Sequence, residues 1–95
     1  MIQTSFTALS DPTRRAIIKL LREGSLTAGE VADKFQQTKP TISHHLKLLK
    51  AANIVRTERK GTSIVYTLQS NVLEDLAAEI LDLADQTVKK KGVAR

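Results

Sequence analysis

Cysteine is absent from these 95 residues. That excludes a disulfide framework, a thiolate metal site, an iron–sulfur cluster and a cysteine nucleophile. Aromatic residues make up only 3%, too few to line an ordinary apolar substrate pocket. Apolar runs are a few residues long at most, so no stable membrane insertion is expected. The opening Met1-Ile-Gln-Thr-Ser5 lacks the basic head and apolar core of a secretory signal, and together with the missing cysteines this points to the cytoplasm. Neither a Gly-rich phosphate loop nor a nucleophile–base–orienter spacing is present, so the chain reads as a non-enzyme that needs no cofactor.

Charge of one sign is missing locally rather than overall. The formal net charge is +5, which on its own says only that a polyanion would be attracted. Residues 38–60 carry Lys39, Lys47, Lys50, Arg56, Arg59 and Lys60 against the single acid Glu58. Residues 61–88 contain no base and five acids, Glu74, Asp75, Glu79, Asp82 and Asp85. The last seven residues contain no acid and four bases, Lys89, Lys90, Lys91 and Arg95. The middle block is the one that points to a nucleic acid.

Proline occurs twice and glycine four times, and most of them punctuate. Ile2, Phe6 and Leu9 give a short first helix at helical spacing. Asp11-Pro12 restarts the chain as a cap followed by a first-turn proline. Ala16, Ile17, Leu20 and Leu21 then make a stripe that stops at Gly24. Thr27 and Glu30 form a capping box, with Leu26 and Val31 as its hydrophobic staple. Thr38 caps a fourth helix that runs to about Ala52, with Asn53 as a left-handed exit. The period then changes to 2: Ile54–Lys60 and Thr62–Leu68 read as a hairpin joined at Gly61. Asn71 and Glu74 open a last helix to about Val88. The expected fold class is mainly α with a small β-hairpin, in the order α-α-α-α-β-β-α, a winged helix-turn-helix. Residues 1–88 form the expected domain, and 89–95 a basic, disordered tail.

On the fourth helix Ile42, Leu46 and Leu49 fall on one stripe. Pro40, His44 and Lys47 lie opposite, flanked by Thr41 and Ser43. Short side chains, hydroxyls, an imidazole and a cation are what base edges in a major groove require. Free amides and the positive dipole end near Thr38–Thr41 suit a phosphate, and Lys39 lies there too. His45 falls towards the core and reads as a packed structural residue. Arg56, Arg59, Lys60 and Thr62 surround the hairpin tip and would clamp DNA as a wing; edge protection by charge is the plainer alternative.

Ala8-Leu-Ser-Asp-Pro-Thr-Arg-Arg15, Leu26–Ala32, Lys39-Pro-Thr-Ile-Ser-His-His-Leu46 and Arg59-Lys-Gly61 through Tyr66 resemble the ArsR/SmtB family of bacterial repressors. They are most similar to its metal-independent, SdpR-like autorepressor branch. The resemblance implies a homodimer on double-stranded DNA, joined through the first and last helices. It places base contacts at Lys39, Pro40, Ser43 and His44. It also implies release by an anti-repressor protein rather than by a metal. Lys39 and Pro40 stand where a Gln-Ser pair is frequent in the metal sensors, so operator sequence does not carry over. The family's metal-ligand positions hold Thr27, Ser70, Val72, Leu83 and Gln86 here, none a good zinc or arsenite ligand.

The last helix supports dimerisation independently. Its apolar residues, Leu73, Leu76, Ala77, Ile80, Leu81, Leu83 and Ala84 among them, span about 180° of the wheel, where a one-sided surface helix needs about 100°. With Ile2, Phe6 and Leu9 they form the expected dimer interface. The expected function is a sequence-specific transcriptional repressor. A winged-helix protein–protein or RNA interaction module is the alternative from another class.

Overall fold

Three of the helices begin where a side chain takes up their first amides. In the computed structural model, which describes the backbone of residues 2–94 and the side chains of residues 3–84, helix α1 is Ile2–Leu9 and α2 is Pro12–Leu21. Asp11 Oδ2 accepts from the Arg14 amide at 3.0 Å and caps α2. Helix α3, Ala28–Phe35, starts on the capping box: Thr27 Oγ1 accepts from the Glu30 amide at 3.2 Å, and Glu30 Oε1 from the Thr27 amide at 2.9 Å. Helix α4, Lys39–Ala51, is capped by Thr38, whose Oγ1 accepts from the Thr41 amide at 3.3 Å. Replacing Thr27 by Ala removes one half of the reciprocal box and should lower the melting temperature by roughly 4–8 °C, the scale of about 1 kcal/mol in a domain this small. Thr27→Ser should melt close to the parent.

Left-handed residues separate the elements. Gln36 (φ 53°) ends α3 and Asn53 (φ 60°) follows α4. Strand β2, Val55–Lys60, returns as β3, Ser63–Leu68, through the two residues Gly61 and Thr62. Gly61 has φ 62° while Thr62 is not left-handed, the pattern of a type II′ hairpin turn with glycine at its first central position.

One element departs from the expected order. Leu26–Thr27 forms a short strand, β1, that pairs antiparallel with β3 (Leu26 with Tyr66, Thr27 with Val65), so the sheet has three strands ordered β1-β3-β2. The same two residues that staple and cap α3 therefore also close the sheet. Ser25 and Thr67 pin the junction through their hydroxyls at 2.7 Å.

The core sits where α4 crosses the other elements. Ile42, Leu46 and Leu49, the expected stripe, are fully buried with Ile17 of α2, Val31 of α3 and Ile54. α4 packs on α1, α2, α3 and β2, and its opposite face is left outward. Helix α5 spans Ser70–Ala94, so its backbone continues past the expected end at Val88. Lys is a good helix former and no proline interrupts the run. Among the described residues, no helix is long and apolar enough to cross a membrane.

Candidate nucleic-acid interface

The three-residue turn from Phe35 to Lys39 sets α4 against α3 with its polar face outward. Thr38, Lys39, Pro40, Thr41, His44 and Lys47 are all exposed, and Ser43 is half-buried. Ser43 and Lys39 line one side of a groove of about 330 Å³; Thr62, Ser63, Ile64 and Tyr66 of the hairpin and Thr27, Ala28 and Gly29 at the start of α3 line the rest. The helix face and the hairpin, far apart in sequence, thus share one concave surface.

Two expectations change in detail. The start of α4 offers few free amides: Pro40 has none, and the Thr41 amide is taken up by Thr38. The Thr38 and Thr41 hydroxyls also bond each other at 2.8 Å, so both threonines serve the cap. Lys39 remains the exposed cation at that end.

The hairpin cations are divided between two faces. Arg59 pairs with Ile64, and Thr57 with Tyr66, so Arg59 shares the face of residues that line the groove. Arg56 and Lys60 lie on the other face with Glu58 between them. Three like charges on one tip would repel; alternation and the intervening carboxylate relieve that.

Among the described residues, Arg14 is the one charged residue that is buried, 8% exposed. Its Nε donates to Ala8 O at 2.8 Å, its Nη2 to Thr7 O at 2.9 Å, and its Nη1 to His45 Nδ1 at 3.1 Å. His45 is half-buried, as a packed residue should be, and lies 3.9 Å from Asp11 Oδ2. The Arg14 backbone amide beside Asp11, aided by the nearby guanidinium, holds its carboxyl below the usual carboxylate range.

The expected dimer residues fall into two groups. Leu76 is buried in the chain's own core, and Leu9 and Leu73 pack against it. Phe6, Ile80, Leu81 and Leu83 are exposed at 43%, 44%, 61% and 62%, as are Ala77 and Ala84. The Ile2 and Gln86 side chains, and those of Lys89–Lys91, lie outside the described residues. Among the described residues, no three His, Asp or Glu side chains converge on a point that could hold a metal ion. Thr27, at a family ligand position, is occupied in the capping box.

Residues 11–57 match the model of a family described as bacterial regulatory protein, arsR family. The transcriptional repressor SdpR of Bacillus subtilis is 51% identical over 70 residues, covering 74% of this chain and 78% of that protein. The arsenical resistance operon repressor of Staphylococcus xylosus is 34% identical over 90% of this chain and 84% of its own. Among solved structures, the homodimeric winged helix-turn-helix DNA-binding domain from Mycobacterium bovis aligns with a TM-score of 0.74 at 26% identity, over 90% of this chain and 79% of that one.

Proposed function

Because this chain belongs to the arsR family of bacterial regulatory proteins, we propose that it is a homodimeric, sequence-specific DNA-binding transcriptional repressor that works without a metal. The observation that carries the reading is the shared groove of α4 and the hairpin, with Lys39, Ser43, His44 and Lys47 outward on a helix whose other face is fully buried. α4 would enter the major groove, with Ser43 and His44 at base edges and Lys39 and Lys47 near phosphates. Arg59 and Thr62 would follow the adjoining backbone on the groove side of the hairpin, and Arg56 and Lys60 on its outer side.

The exposed apolar stretch of α5, with Phe6 of α1, would meet the same surface on a second copy. That leaves residues 1–88 as the binding and dimerisation unit and the basic residues 89–95 as an appendage to it. The donors at the family's ligand positions suit no transition metal, which favours release by a protein partner over release by a metal. Catalysis has no assigned role in this reading.

Selection from a pool of random duplexes at about 150 mM salt tests the proposal. It should enrich a pseudo-palindrome whose half-sites are about one helical turn apart or a multiple of it. Enrichment of no sequence over random DNA would sink the repressor reading and favour a protein or RNA partner.

A further inference from the structure

We propose that His45 is a positioning residue for DNA binding: its unprotonated Nδ1 accepts a hydrogen bond from Arg14, and that bond seats α4 against α1 in the arrangement that fits DNA. The inference rests on the DNA-binding reading above and adds how the binding helix is held.

Guanidinium groups are donors only. With Arg14 Nη1 3.1 Å from His45 Nδ1, the ring nitrogen facing it must be the acceptor, and the proton of the neutral ring then lies on Nε2. In the last turn of α1 the same guanidinium donates to the Ala8 carbonyl and shares the Thr7 carbonyl with the amide and hydroxyl of Ser10. One buried side chain on α2 therefore joins the end of α1 to the middle of α4. α1 also carries Phe6, placed above at the dimer surface, so subunit contact and DNA-reading helix are linked through a single planar group.

Protonation breaks this arrangement. A hydrogen on Nδ1 would point at the hydrogens of Arg14 Nη1. Asp11 Oδ2, at 3.9 Å, is the carboxylate within reach, and the ring must move about 1 Å to make a normal hydrogen bond with it. Asp11 stays ionised in mildly acidic solution, since its carboxyl is held below the usual range. The charged and titratable groups facing His45 are thus Arg14 of α2, Asp11 of the α1–α2 turn and, on α4 itself, His44, whose ring centroid is 6.1 Å away. α1 contributes no charged side chain. His44 is exposed on the DNA-facing side, so its protonation would add a cation there and strengthen binding. A proton on one ring would therefore act on binding with the opposite sign to a proton on the other.

The full-length protein, His45→Asn and His45→Phe are compared on the duplex enriched above, from about pH 8 to 5.5, the interval over which imidazoles charge. Melting temperature is the folding control, and nitrogen-15 NMR of the imidazoles without DNA reads the tautomer. Asn places an amide oxygen close to the Nδ1 position, accepts from Arg14 and does not titrate. Phe fills similar volume and accepts nothing. His45→Asn should bind within about threefold of the parent at pH 8, and His45→Phe about tenfold more weakly, the loss of one charge-assisted hydrogen bond. On acidification the parent should weaken by about tenfold relative to His45→Asn. The spectrum at pH 8 should show Nδ1 unprotonated.

A folded His45→Phe that binds like the parent, or a His45→Asn whose pH profile tracks the parent's, overturns the proposal. So does a protonated Nδ1 at pH 8, which is read without any DNA. A parent protein that enriches no duplex overturns the DNA-binding reading and the role claimed for His45 in it, and the imidazole spectrum then shows whether the Arg14 bond itself was at fault.

Discussion

Changing Ile80 and Leu81 together to Asp should turn the proposed dimer into a monomer and weaken binding to a two-half-site duplex by at least about 100-fold. The physical reason is symmetry. A two-fold interface presents the same patch twice, so two substitutions place four carboxylates on one apolar contact. Glu79 and Asp82 flank the pair in sequence and add like charge. The monomer should nonetheless remain folded: both side chains are largely exposed in the single chain, and Leu76 is the last buried residue described on α5. Each half-site contact would survive, but the second would no longer be intramolecular, and that gain is worth about 10²–10⁴ in affinity. Light scattering coupled to size exclusion gives the mass, and titration against the duplex gives the affinity. A variant that stays dimeric moves the interface away from α5. A monomer that binds as tightly as the parent removes the need for two copies.

Much of this architecture was legible because its signals are local. Asp11, Thr27 and Thr38 each precede a helix at the spacing that lets a side-chain oxygen reach an amide three residues on, and all three do so. The buried stripe of α4 follows from spacing alone. Gly61 was legible as the hairpin joint because a two-residue turn of primed type needs a left-handed first position.

What escaped is non-local. β1 has two residues, too few for any period, and exists only because β3 offers Tyr66 and Val65 an edge to pair with. The burial of Arg14 has no pattern of its own either. A cation in a first turn reads as solvated, and the carbonyls that hold it become available only when α1 ends and the chain reverses at Ser10 and Asp11. The one hint was His45, placed towards the core by the wheel, since a core histidine needs a partner for its ring nitrogens. The extension of α5 past Val88 is a third case. A charge run without proline is compatible with both a coil and a helix, and the residue type alone does not choose between them.

The sharpest separation of roles comes from two double variants. Ser43→Ala with His44→Ala should weaken binding to the enriched duplex by about 100-fold, at about 1–3 kcal/mol for each lost base contact. Affinity for random duplex should stay within about threefold, because phosphate contact by lysines and arginines supplies that background. Arg56→Ala with Lys60→Ala should do the reverse. Both kinds of duplex should weaken together, and the slope of log affinity against log salt should fall by about 1 for each phosphate contact removed. The assignment follows from position: Ser43 lines the groove between helix and hairpin with His44 beside it in the chain, whereas Arg56 and Lys60 sit on the outer face of β2. Core disruption is not an alternative explanation for either result, since Ser43 is half-buried and the other three are exposed. If the alanines at 43 and 44 reduced specific and random binding equally, α4 would be a backbone-contacting helix. Sequence discrimination would then have to come from the hairpin or from the shape of the duplex. If the hairpin pair left the salt slope unchanged, its outer cations would be edge protection and nothing more. Arg59, on the groove side, would remain the hairpin's candidate for phosphate contact.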